Sequence, residues 1–378
     1  MNLCDKDKCT GCLACQTVCG KNAVSVETNP LGFRYPVIDQ KKCVNCGKCQ
    51  SACHILSPLL GKGMPLEIYR YKGNEETRLK SSSGGFIFQI ANHFLEQGYY
   101  VAGAVFDVDY MGVHYEITNL STQLEKMRKS KYVEAKLFNI YIDAETILKN
   151  GGKVLFVGLP CHVAGFLKIL NGRYENNYLT IDLVCYGNGS PELYKKCLTE
   201  FAAKKQGKTE VKAIDFRHKP FINQSHTILD IKLTNQEYTL FPKDFPYYYG
   251  YVNRLVFRDS CYRCIYKDIH RIGDISIGDV PGDFDALGEN VVLVNTVFGE
   301  KAVECLKNND SSGILTKADN DFQSMICTKY KIKEKIPKLR KKIIECNNTD
   351  IVMHKYLKYS YLRGKYNKIV TKIKSLMR

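Results

Sequence analysis

The sequence predicts a multidomain protein of mixed α+β and α/β type, with a small cysteine-rich module in front, a larger alternating body behind it, and a basic helical tail. Three observations predict this. A four-cysteine run occurs twice near the N-terminus at a constant offset. From residue 68 onward, short β-type runs alternate with stretches of helical spacing, the pattern of layered α/β architectures. The positive charge is gathered at the far end of the chain.

The repeat is the sharpest signal. Cys9, Cys12, Cys15 and Cys19 recur as Cys43, Cys46, Cys49 and Cys53, offset by 34 residues. Between the runs, residues 23–27 and 35–38 are β-type and are joined by the turn Asn29-Pro30-Leu31-Gly32. C-x2-C-x2-C-x3-C written twice is the spacing of bacterial two-cluster ferredoxins. Three close thiolates wrap three corners of a cubane, and the distant fourth reaches across to the other one. This assigns Cys9, Cys12, Cys15 and Cys53 to one 4Fe-4S cluster, and Cys43, Cys46, Cys49 and Cys19 to a second. Structural zinc also uses paired C-x2-C units, but it does not call for two matched four-cysteine runs. Gly20 and His54 stand where a proline usually follows the fourth cysteine. A linker with Ser57-Pro58 and Gly61-Lys62-Gly63-Met64-Pro65 reads as the end of a ferredoxin domain over residues 1–60.

Composition narrows the class further. At 44% hydrophobic and 25% charged residues the chain is globular rather than disordered. Residues 1–19 are polar and cysteine-rich, with no apolar leader, and the longest apolar stretch, residues 154–170, carries Pro160, His162 and Lys168. The expectation is a cytoplasmic protein, in which 17 cysteines point to metal or redox chemistry rather than to disulfides. The net charge of +16 is uneven: residues 329–378 hold 16 Lys/Arg against 3 Asp/Glu, residues 1–58 hold 7 against 4, and residues 59–328 hold 32 of each. A neutral middle argues against a nucleic-acid-binding protein. The excess in the first module would suit an acidic electron donor.

In the body, β-type runs are expected at residues 68–71, 100–106, 113–117, 153–157 and 178–184, with helices over 86–96, 138–149, 160–170 and 191–204. Residues 227–233 and 238–241 read as a hairpin around Asn235-Gln236, and 291–296 as a further strand with helices after it. Four more cysteines stand out. Cys161 lies at a strand-to-helix turn in Gly158-Leu159-Pro160-Cys161, Cys185 ends the next strand, and Cys261 and Cys264 form a separate C-x2-C. Strand ends of one sheet lie side by side, so these four could hold a third 4Fe-4S cluster. Buried small side chains and a zinc half-site are the alternatives. Cys4, Cys197, Cys305, Cys327 and Cys346 receive no role.

At these residues the chain resembles the beta-subunit family of coenzyme F-420 hydrogenase and formate dehydrogenase, which also includes flavoprotein reductases acting on chlorophyll side chains. The resemblance covers about residues 1–300. It rests on the order of Ser82-Ser83-Gly84-Gly85, Lys129-Ser130-Lys131-Tyr132-Val133, Gly158-Leu159-Pro160-Cys161, the segment ending in Cys185-Tyr186-Gly187, Ile214-Asp215-Phe216-Arg217, Cys261-Tyr262-Arg263-Cys264, and Arg271 with the segment from Gly273 to Asp279. The fused ferredoxin module with Gly32-Phe33-Arg34-Tyr35-Pro36 is also typical. The resemblance implies family-like domains over residues 66–149 and 150–345, a third cluster on Cys161, Cys185, Cys261 and Cys264, and FAD. The flavin would be held by Ser83, Gly84, Gly85, Lys131, Tyr132, Gly158, Pro160, Gly278 and Asp279. A departure follows Asp279, where Val280-Pro281 replaces two aromatic or large residues.

The function expected is an iron–sulfur flavoprotein oxidoreductase. It would pass electrons between a ferredoxin or other redox protein, its clusters and FAD, and so reduce or oxidise a small organic substrate or the deazaflavin coenzyme F-420. Relatives of this kind suggest a link to polysaccharide biosynthesis. Arg217, His218 and Lys219 are candidate anion or substrate contacts; no catalytic residue is assigned. The alternative is a non-catalytic electron-transfer subunit docked on a separate dehydrogenase or hydrogenase. In the tail, residues 346–378, Tyr359, Leu362, Tyr366, Ile369, Ile373 and Leu376 recur at helical spacing beside Lys365, Lys368, Lys372 and Lys374. Such a helix either packs on protein or makes peripheral contact with an anionic membrane.

Overall fold

Short apolar runs and turn residues place the first elements of the chain. The computed structural model describes residues 3–206, 210–219, 228–280, 285, 287–307 and 313–318. The N-terminal module contains α1 (Ala14–Thr17), β1 (Val24–Thr28), β2 (Arg34–Ile38) and α2 (Lys48–Ser51). The body continues with β3 (Glu67–Gly73), α3 (Glu75–Leu79), α4 (Phe86–Glu96), β4 (Tyr99–Phe106), β5 (Val113–Thr118), α5 (Ser121–Met127), α6 (Ile140–Lys149), β6 (Lys153–Gly158) and α7 (Pro160–Leu170). It ends with β7 (Tyr178–Leu183), α8 (Pro191–Gln206), β8 (Val211–His218), β9 (Ile228–Leu233), β10 (Glu237–Leu240), α9 (Pro246–Val252), β11 (Ile275–Asp279), β12 (Asn290–Val294), α10 (Val297–Lys307) and β13 (Gly313–Lys317). The tail repeat, with Cys327 and Cys346, lies outside the described residues. Among the described residues, no helix is long and apolar enough to cross a membrane.

The fold is mixed α+β. Eight strands form one sheet in the order β13-β3-β12-β11-β7-β6-β4-β5, and β10-β9-β8 form a second, three-stranded sheet. Within the large sheet β4, β6, β7 and β11 run parallel. Their middles are apolar on both faces, as Val154, Leu155 and Phe156 illustrate, because helices cover both sides. One face packs Phe86, Ile90 and Phe94 of α4, Leu124 of α5 and Val303 of α10. The other packs Ile140 and Ala144 of α6 and Val163 and Phe166 of α7, with Phe156 and Phe166 stacked at 4.5 Å. Helix boundaries have local causes: Asn74 caps α3 by accepting from Thr77 N, Pro160 opens α7, and Asn171 closes it in a left-handed conformation.

Because β4, β6, β7 and β11 are parallel, their C-terminal ends share one edge. β3 runs the same way, being antiparallel to β12, which is antiparallel to β11. Phe106, Gly158, Leu183, Asp279 and Gly73 therefore end on one side, where ligands bind in open α/β sheets.

The N-terminal module is fastened to the body by direct contacts. Its β-turn abuts the start of α8: Glu192 N and Ser190 Oγ both donate to Leu31 O, and a Cβ at Gly32 would lie 2.7 Å from Glu192 N. Arg258 is fully buried at the junction. It forks onto both carboxylate oxygens of Glu134 at 3.0 and 2.9 Å, and donates to the backbone oxygens of Cys9 and Arg34 at 2.7 Å each. Its guanidinium lies 4.2 Å from the centre of the Tyr35 ring. Arg258→Met is expected to leave the Glu134 carboxylate buried without its partner, at a cost of about 3–5 kcal/mol. Chemical or thermal unfolding should show the loss, whereas Lys195→Met, on the exposed side of α8, should stay within about 0.5 kcal/mol of the parent.

Candidate iron–sulfur and cofactor site

The three closely spaced cysteines of each run sit on a loop leading into a short helix. Leu13 and Gly47, both left-handed, start α1 and α2 and turn the loops inward. Cys12 and Cys15 each sense Cys9 and Cys53, so the first four thiols share one place. They line a small cavity with Cys4. Cys49 senses Cys43 and Cys19, which brings three of the second group together; Cys46 is joined to them by the spacing of the run. The crossover, in which the last cysteine of each run joins the other group, is the arrangement the spacing requires. The first group is buried, whereas Cys46 of the second is exposed.

Cys4 adds a thiol to the first group. It is within hydrogen-bonding reach of Cys9 and Cys53, and this contact holds both of those thiols down at about 6 while raising its own. Its spacing from Cys9 falls outside the repeat, so pattern reasoning had no handle on it.

His54 occupies the position where a proline is common. It is fully buried, its Nδ1 is 2.6 Å from Tyr266 OH and its Nε2 is 3.0 Å from Thr10 Oγ1. Burial lowers its pKa to about 4, so the ring is neutral.

The four body cysteines also converge. Cys161 senses Cys185, Cys264 and Cys261, and Cys185 senses Cys261 and Cys264. Cys161 lies in the first turn of α7, Cys185 just past β7, and Cys261 and Cys264 in a tight turn before β11. Burial pushes the Cys185 and Cys261 thiols up to about 12, and Cys261 Sγ accepts from Asn188 N at 3.2 Å. Thiols so desolvated ionise readily only against a strong positive charge, which a metal centre supplies. Among the described residues, no three side chains close around a single metal ion. His162, next to Cys161, is held by Tyr115 OH at 3.1 Å and is neutral, its pKa lowered to about 3 by burial.

The first group and the body group face one another. Gly165, one turn after Cys161 on α7, brings its backbone against the module: a Cβ there would lie 3.2 Å from Cys12 Cβ. Cys161 senses Cys12, and Tyr266 senses cysteines of both groups.

The remaining predicted residues gather along the same sheet edge. Ser83 Oγ donates to Glu289 O at 2.7 Å, and Ser82 Oγ accepts from Ser130 N at 2.8 Å, joining the serine–glycine loop to the lysine–tyrosine loop. Tyr132 stacks on Tyr251 at 4.5 Å, and Arg217 links Tyr132 OH at 3.1 Å to Asp279 Oδ2 at 2.9 Å. Lys131 turns inward onto the carbonyls of Met127, Arg128 and Lys129, and Lys219 onto those of Arg78 and Leu287. Burial lowers both lysines to about 7. Lys129 and His218 share Asp215. Gly158 abuts Tyr115, and Pro160 is buried at the start of α7.

Two of these residues are engaged in packing within the body. Gly84 packs on its own sheet, where a Cβ would strike Tyr71 O and lie 2.6 Å from Asn290 N. Gly85 is left-handed at φ 89°, and the first helical NH of α4, on Phe86, is taken by Asn290 Oδ1 at 3.1 Å. The glycines thus serve the joint between α4 and the sheet. Among the described residues, Arg217 Nε is buried without a hydrogen-bond partner. With the half-buried Tyr132 beside it, this is the feature that fits an anionic ligand carrying a planar ring.

These features meet two known families. Residues 8–55 match the 4Fe-4S dicluster domain family, and residues 151–317 match the family of the C terminus of the coenzyme F420 hydrogenase/dehydrogenase beta subunit. One stretch of the chain is thus similar to dicluster iron–sulfur domains, and another to the C terminus of that beta subunit. Among solved structures, a chain of the F420-reducing [NiFe] hydrogenase complex from Methanosarcina barkeri superposes with a TM-score of 0.49 at 17% identity, over 75% of this chain and 92% of that one. No curated protein matches.

Proposed function

We propose that the protein is a cytoplasmic iron–sulfur flavoprotein oxidoreductase that exchanges electrons with a redox protein and acts on a small organic substrate. The observation that carries this reading is the series of three cysteine groups, running from the exposed Cys46 through the buried first group to Cys161, with the Tyr132–Arg217–Asp279 cluster near the C-terminal ends of the parallel strands. Cys9, Cys12, Cys15 and Cys53 would hold one 4Fe-4S cluster, Cys19, Cys43, Cys46 and Cys49 a second, and Cys161, Cys185, Cys261 and Cys264 a third. Bound FAD would supply the conversion between single electrons and a hydride pair, which explains why clusters and flavin would share a chain.

The chain's own groups do the holding. Arg217, with its free buried Nε, would anchor the flavin's anionic part, and Tyr132 would present a ring face to it. Asp279 keeps Arg217 oriented. The coenzyme F-420 and a sugar-related substrate remain within this reading as acceptors. The non-catalytic wire is the rival, and the flavin test decides between them.

Protein purified without oxygen is expected to hold about twelve irons per chain, falling to about eight in Cys264→Ser. Eight in both would remove the body cluster. Arg217→Met is expected to weaken FAD retention about 10- to 100-fold, the equivalent of a charge-assisted hydrogen bond, while the iron content stays constant. Equilibrium dialysis with flavin fluorescence reads the loss. A parent protein that neither retains nor binds FAD would support the wire instead.

A further inference from the structure

We propose that the surface around the second cysteine group is the docking site for an acidic one-electron carrier protein, and that electrons cross the boundary of the protein there. The inference rests on the cluster assignment proposed above. Of the two groups in the module, only the second reaches solvent. Cys46 is exposed and Val44 is 59% exposed, whereas Cys9, Cys12, Cys15 and Cys53 are each at most 9% exposed. The first group is also covered by α7 and by Arg258, so no partner can approach it from that side.

The charge around the exposed group is one-sided. Lys21 follows Cys19 by two residues, Lys41 and Lys42 precede Cys43, and Lys48 precedes Cys49; all four are exposed. Asp39 lies near this rim and is 3.6 Å from Lys42 Nζ, and Glu27 is on the adjoining strand. The centre is uncharged, with Val44, Asn45 and Gly47 between the lysines. An uncharged centre with a charged rim suits a protein interface, and an unbalanced basic rim selects acidic partners and speeds their encounter. A small anionic metabolite would have no use for the exposed Val44, so a protein carrier fits better.

The test uses the full chain, purified without oxygen, and a small acidic ferredoxin as probe. Stopped-flow bleaching of the iron–sulfur absorbance by the reduced probe gives the second-order rate, and calorimetry of the oxidised pair gives the dissociation constant. Raising the salt is expected to slow reduction and weaken binding. The triple variant Lys41→Glu, Lys42→Glu, Lys48→Glu is expected to lower the rate at low salt by about 10- to 1,000-fold. Its iron content and its reduction by an electrically neutral viologen should match the parent. A rate indifferent to salt and to the triple variant overturns the docking site, as does faster reduction of the variant by the acidic probe. If the parent holds no clusters, or the neutral viologen cannot reduce them, the cluster assignment fails instead, and the two failures are distinguishable.

Discussion

The architecture depends on one buried ion pair. Arg258 comes from the loop before the C-x2-C turn, Glu134 from the lysine–tyrosine segment, and the backbone oxygens of Cys9 and Arg34 from the N-terminal module. One guanidinium thus fixes three distant stretches of chain. Five N–H groups in a rigid plane suit this task, since they can meet a carboxylate and two carbonyls at once. Gly11 lies so close that a Cβ would be 2.6 Å from Arg258 Nη1. The same cation stands 4.0 Å from Cys9 Sγ, where it favours the thiolate form.

From that joint the rest of the site follows by direction. Parallel strands deliver Gly158, Cys185 and Asp279 to one edge, and α7 starts there with Cys161. The face of α7 carrying Cys161 also carries Gly165, whose missing side chain lets Cys12 approach. A strand order that placed β6 and β7 antiparallel would send Cys161 and Cys185 to opposite ends. The sheet's direction is therefore what brings the body cysteines together, and Gly165 of α7 is what lets the module come within reach.

Much of this was legible in the sequence where the signal is local. The eight ferredoxin cysteines declare themselves by spacing, and α4 and α7 have the bounds that periodicity and Pro160 indicate. The hairpin of β9 and β10 forms around Asn235-Gln236 as expected. What stayed hidden depends on long-range pairing. β11 reads poorly as a strand because Ser276 and Gly278 interrupt it, yet Ser276 is buried and satisfied by Arg271 and Asn295. Arg258 and Glu134 are 124 residues apart and belong to no periodic pattern. β13, β8 and α9 had no clear signature. The inward turn of Lys131 was also beyond sequence reasoning, since it is set by the carbonyls of its own loop.

The close seating of the module carries a consequence for how charge can move through the molecule. Some redox proteins shuttle a tethered carrier domain between distant stations. Here the β-turn at Leu31 abuts α8, the module's first loop clasps Arg258, and α7 rests on Cys12, so the module has no room to swing. Even the linker is pinned, with Lys62 N donating to Arg271 O at 2.8 Å. A peptide bond cut near the fully exposed Leu60 would leave two fragments still joined across a packed internal seam. The module and the body are held together by their packing and not by the linker alone.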